Sequence, residues 1–188
     1  MVEAFSNIAT AFGLSASAGL NAYLPLLVVA LTARYTDLIK LNQPWDVLTN
    51  GWVIGALAAL LLIEMTVDKI PAVDTLNDTI QTVGRPAAGA VLFAASSGVV
   101  GDLHPVLAFI AGLLLAGGVH TAKTVARPVV TASTAGTGNW AVSIIEDILA
   151  LITTILSILI PILVMLTIIF LLLLIFWWRG RRIKAGTV

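Results

Sequence analysis

From Ile148 to Trp178 the chain carries no charged residue at all. Roughly 18 to 20 apolar residues are enough for a helix to cross a hydrocarbon core of about 30 Å. A run this long therefore commits the chain to a bilayer. Just upstream, "SIIE" (Ser143 to Glu146) has the form of a capping box, in which Ser and Glu reciprocally satisfy backbone N–H groups at a helix start. A helix from Ile144 to Trp178 would measure about 52 Å at 1.5 Å per residue, so tilt, a kink at Pro161 or a projecting end must absorb the excess. The tail "WWRGRRIK" supplies interfacial tryptophans and a dense basic cluster, which predicts a cytoplasmic C-terminus.

The rest of the chain agrees. Of its 188 residues 59% are hydrophobic and 11% charged, where a soluble domain has about 25% charged residues. The expected fold is all-α, a polytopic membrane helix bundle forming a single transmembrane domain over residues 1–188. Spans are predicted at 5–33, 51–67, 86–100, 106–121 and 144–178. The N-terminus lacks the basic region of a signal peptide, so it reads as an uncleaved first span. Val73, Leu76, Ile80 and Val83 recur at helical spacing opposite Asp74, Asn77, Asp78 and Gln81. Residues 72–83 are thus expected as an amphipathic helix on the membrane surface, ended by Gly84. Residues 123–142, with Pro128, Gly136, Gly138 and many Ala, Ser and Thr, are expected as a re-entrant or broken segment packed inside protein or lining a watery cavity. Counting back from a cytoplasmic tail, residues 179–188, gives about five full spans plus this segment, with the N-terminus outside; a full crossing by the segment puts it inside.

Because spans two, three and four alternate in direction, Glu64, Asp68, Lys69, Arg85, His120, Lys123 and Arg127 fall at one membrane face. Glu146 and Asp147 join them if the broken segment is re-entrant. Glu64 lies within an apolar run, where an unpaired carboxylate costs about 3 kcal/mol, so it is expected to pair with Lys123, Arg127 or His120. The basic residues either complete that cluster or snorkel to the interface. No Cys is present and the histidines are His104 and His120, so no metal or cofactor site is assigned. Gly136-Thr137-Gly138 lacks a following Walker lysine, and no catalytic residue is assigned either.

Two pairs of stretches suggest a weak internal repeat: "SAGLNAY" (Ser17 to Tyr23) with "TAGTGNW" (Thr134 to Trp140), and "RPAAGA" at 85 with "RPVVTA" at 127. Transporters place sites where broken helices of two repeats meet, which adds Asn21 and Asn139 to the candidate pathway; small residues also serve simply to let helices approach. "GLNAYLPLL", "DKIPAVD" at 68–74 and the two Arg-Pro segments resemble the small bacterial membrane-protein family catalogued as domain of unknown function 4126, over most of the chain up to about residue 160. That resemblance implies a multi-pass protein of the bacterial inner membrane and confers no substrate. The residues themselves point to a small transporter or channel for an ion or small polar solute, in contact with membrane lipid, homo-oligomeric and without nucleic acid. A lipid-handling translocase or membrane-embedded enzyme that holds a lipid phosphate, and a non-catalytic assembly factor, are the alternatives.

Overall fold

The computed structural model describes residues 2–67, 71–97, 104–134 and 137–185. Among them the chain is all-helical: α1 (Val2–Leu20), α2 (Tyr23–Tyr35), a short 3-10 helix (Trp45–Thr49), α3 (Gly51–Val67), α4 (Pro71–Ser97), α5 (Pro105–Thr134), α6 (Gly138–Leu159) and α7 (Pro161–Ala185). Helices α5 and α6 are long and apolar enough to cross a membrane, and Tyr23–Tyr35, Gly51–Val67 and Leu163–Leu174 are shorter apolar helical stretches.

The second predicted span coincides with α3, but the other boundaries move, and each move has a backbone cause. The first span is interrupted between α1 and α2. Pro25 has no N–H to offer the Asn21 carbonyl, and the Leu24 N–H bonds to Asn21 Oδ1 at 2.9 Å instead of to Leu20. The amphipathic segment and third span form one helix, α4, which passes through Gly84 and Pro86. The helix of the fourth predicted span extends through Pro128 to Thr134, so residues 123–134 are continuous with α5 and unbroken. In an apolar setting a helix that gives up one bond at proline still satisfies its remaining backbone groups, whereas unwinding would expose several. Ser143 does not cap a helix: α6 starts five residues earlier, at Gly138, and Ser143 is buried within it. The long terminal helix is two helices. Added Cβ atoms at Gly13 would meet both Ser157 and Val164, which seven residues of straight helix would hold about 10 Å apart. The axis therefore turns sharply at Ile160–Pro161.

Helix α1 occupies the centre and touches α4, α5, α6 and α7. Small residues permit that crowding. A Cβ on Gly19 would lie 2.6 Å from the Ala116 carbonyl oxygen, and one on Gly112 would lie 2.6 Å from Phe93 Cβ. Leu14, Ala18, Leu26, Val29, Leu92 and Ala116 form the main apolar cluster around this axis. Helices α4 and α5 run antiparallel, with Phe93 beside Gly112, Gly89 beside Ala116, and Arg85 beside His120.

The outer surface inverts the usual distribution. On α6 the buried face is Asn139, Ser143, Asp147, Ala150, Thr154 and Ser157, while Ile145, Ile148, Leu149, Ile152, Ile155 and Leu159 are exposed. Helix α5 buries His120, Lys123 and Arg127 and exposes Leu107, Phe109, Ile110, Leu114, Val125 and Val129. In water such helices would be turned the other way round.

Candidate functional site

Among the described residues, the ion-paired side chains gather into two groups along α5. In the first, Arg85 from α4 and Glu64 from α3 are fully buried, with Nη2 3.1 Å from Glu64 Oε1. Arg85 Nη1 is also 3.1 Å from His120 Nδ1. A guanidinium only donates, so Nδ1 accepts and the proton of the neutral ring sits on Nε2, which faces Thr82 Oγ1 at 3.3 Å. One carboxylate, one guanidinium and one imidazole thus lock α3, α4 and α5 together.

In the second group Glu146, on α6, serves two cations of α5. Its Oε2 accepts from Arg127 Nη2 at 2.7 Å and from Lys123 Nζ at 3.0 Å. Lys123 Nζ also donates to the Leu20 carbonyl at 3.2 Å. That carbonyl is the one whose helical donor, Leu24, has gone to Asn21. Asn21 Nδ2 in turn donates to Asp147 Oδ1 at 2.9 Å, and one end of the group is closed by Thr131 donating to Asn139 Oδ1 at 3.0 Å.

From here a polar seam follows the antiparallel contact of α1 and α6. After Asn21 with Asp147 comes Ser17, which lies 2.7 Å from Thr154 Oγ1 and donates to the Ala150 carbonyl at 2.7 Å. Gly13 against Ser157 follows. The seam leads to a cavity of about 310 Å³ lined by Ser6, Asn7 and Thr10 of α1, Asp37 and Lys40 after α2, Ser96 of α4 and Ile158 of α6. Polar side chains thus mark α1 at Ser6, Thr10, Ser17 and Asn21, one helical face over most of its length.

Of the candidate residues read from the sequence, Asn21, Glu64, Arg85, His120, Lys123, Arg127 and Asn139 are all buried. Asp68 and Lys69 lie outside the described residues, as do the side chains of Asp74, Asp78 and the basic tail. Arg85, Lys123 and Arg127 turn inward and do not snorkel. Glu64 was expected to pair with Lys123, Arg127 or His120; it bonds to Arg85, while Lys123 and Arg127 bond to Glu146. His120 reaches the Glu64 group through Arg85. The hydroxyl ladder Ser17, Ser143, Thr154 and Ser157 escaped the sequence reading, although the recurrence of Asn139, Ser143, Asp147, Thr154 and Ser157 at steps of three, four and seven is a helical face legible in the residues.

The two suggested repeat pairs differ in their settings. "SAGLNAY" spans the interruption between α1 and α2, whereas "TAGTGNW" spans the junction of α5 and α6. The Arg-Pro steps do share one: each arginine is buried in a continuous helix and meets a glutamate from another helix.

Taken together, a helical bundle that is apolar outside and ion-paired inside defines the class to which this chain belongs. The family is equally definite. The model described as Domain of unknown function (DUF4126) matches residues 8–181, and the chain is a member of that family. The match runs past residue 160, through the turn at Pro161 and along most of α7. No curated protein and no solved structure matches the chain.

Proposed function

We propose that the chain is an integral protein of the bacterial inner membrane that passes an ion or small polar solute along the seam between α1, α5 and α6. In this reading α1 together with α2, then α3, α4, α5, α6 and α7, cross the bilayer in turn. Helices α6 and α7, of 22 and 25 residues, measure about 33 and 38 Å at 1.5 Å per residue, enough for each to cross separately. The basic tail favours the cytoplasm for the C-terminus, and six crossings bring the N-terminus to the same side.

The observation that carries the proposal is the continuity of polar groups from the Ser6–Thr10 cavity, past Ser17 and Thr154, to Asn21, Asp147, Glu146, Lys123 and Arg127. Ionisable groups inside a membrane bundle are costly and mark pathways for ions and protons. An interrupted helix with a displaced carbonyl at the same place is a recurring feature of transporter sites. The inward turn of Lys123 and Arg127 onto Glu146 favours a path between helices over a basic groove that faces lipid headgroups.

Proteoliposomes carrying the full chain test this with a panel of gradients in protons, sodium, potassium and chloride and with small zwitterionic solutes. At least one flux should exceed that of empty liposomes and fall to background with Asp147→Asn. Folded, correctly inserted protein that moves none of them would overturn the proposal.

A further inference from the structure

At the interruption of the first span, an ammonium stands where a free cation would be expected. Leu20 closes α1, so its carbonyl lies at the negative end of a helix dipole. That oxygen has lost the Leu24 N–H to Asn21. Lys123 Nζ, 5% exposed as a residue, sits 3.2 Å from it and 3.0 Å from Glu146 Oε2. A helix-end carbonyl beside a partly buried carboxylate is oxygen chemistry suited to a hard monovalent cation. Ser143 adds an uncommitted oxygen on the inward face of α6, one turn before Asp147. It is 1% exposed and its Oγ has no hydrogen-bond partner among the described residues.

The shared carboxylate points the same way. Glu146 accepts from Arg127 at 2.7 Å and from Lys123 at 3.0 Å. Lys123 thus adds a second positive charge at Glu146 and a bond to the Leu20 carbonyl.

We infer that Lys123 is a tethered cation, filling a monovalent-cation site built from the Leu20 carbonyl and the Glu146 carboxylate beside the Asn21–Asp147 pair. Removing its side chain uncovers a site for sodium or lithium, and the native protein requires neither. The inference rests on the proposed pathway only in its consequence, that translocation is independent of sodium. The site itself is judged by stability.

The test is thermal unfolding of the full chain in detergent, in choline, sodium, lithium or potassium chloride at constant ionic strength. Lys123→Ala should melt below the native protein in choline and recover several degrees, saturably, in sodium or lithium. The native protein should melt at the same temperature in every salt. In Lys123→Ala/Glu146→Gln the carboxylate ligand is lost, so the response should vanish. A Lys123→Ala variant that responds to no cation, that responds equally to choline, or that cannot be recovered folded in any of the salts overturns the inference. So does a response that survives in the double variant. Because nothing need be transported in this assay, a protein that moves no solute can still pass it, and a working transporter can fail it.

Discussion

Arg85–Pro86 on α4 and Arg127–Pro128 on α5 share a local sequence, yet their arginines meet acid in different ways. Arg85 has a fully buried carboxylate, Glu64, and also donates to His120. Arg127 divides a partly accessible carboxylate, Glu146, with Lys123. The difference is one of stoichiometry and access. At Arg85 the loss of either ionic partner breaks an ion pair whose two side chains are 0% and 1% exposed, whereas at Arg127 the loss of the arginine leaves Glu146, 12% exposed, still bonded to an ammonium. Identical dipeptides in helices of similar composition thus serve a rigid lock in one place and an adjustable, shared charge in the other.

The largest effect should come from breaking the lock. Glu64→Gln should destabilise the folded protein by about 3 to 5 kcal/mol, because it removes one partner of a fully buried ion pair. Denaturant titration in a single detergent measures it, and a loss below that of Arg127→Gln would reverse the comparison. Next in size is Gly112→Leu. Helices α4 and α5 approach so closely there that a Cβ would lie 2.8 Å from Ala90 Cα and 2.6 Å from Phe93 Cβ. Forcing these two helices apart should cost about 1 to 3 kcal/mol or more, and should loosen Arg85 from His120 while sparing the Arg127–Glu146 contact. Hydrogen exchange resolved along α4 and α6 separates the two. The smallest effect is expected from Arg127→Gln, about 0.5 to 1.5 kcal/mol, the range of an ordinary hydrogen bond, because Lys123 still neutralises Glu146.

How much of this was legible depends on the kind of signal. The apolar runs disclosed an all-helical chain, and the start of α3 was legible because Asn50 precedes an apolar segment and accepts from the Trp52 N–H. The inward-facing charges were legible too, since a carboxylate such as Glu64 in that setting demands compensation. The breaks were harder. Gly84 read as a helix end, Pro86 as a helix start and Pro128 as part of a broken segment, but the helices continue through all three. Pro25 sits in a similar apolar run, and there the helix did open, because Asn21 could supply Leu24 with a replacement acceptor. A proline alone does not distinguish these cases; of the three prolines, the one where the helix opened has an amide side chain four residues earlier, at Asn21. The pairing of acids with bases was not legible, because Arg85, Lys123 and Arg127 all lie within reach of a membrane face that also holds Glu64. Only the antiparallel register of α4 on α5 and the proximity of α6 to α1 decide which cation meets which carboxylate.

A pair of double-mutant cycles tests that division most directly, one on Glu64 with Arg85 and one on Glu64 with Arg127, all changed to Gln and measured by unfolding in the same detergent. Arg127 lies seven residues beyond His120 on α5, about 10 Å along the helix, so it belongs to the other group. The account predicts a coupling of about 2 to 3 kcal/mol for Glu64 with Arg85, and additivity within about 0.5 kcal/mol for Glu64 with Arg127. Strong coupling of Glu64 to Arg127, with additivity toward Arg85, would contradict it.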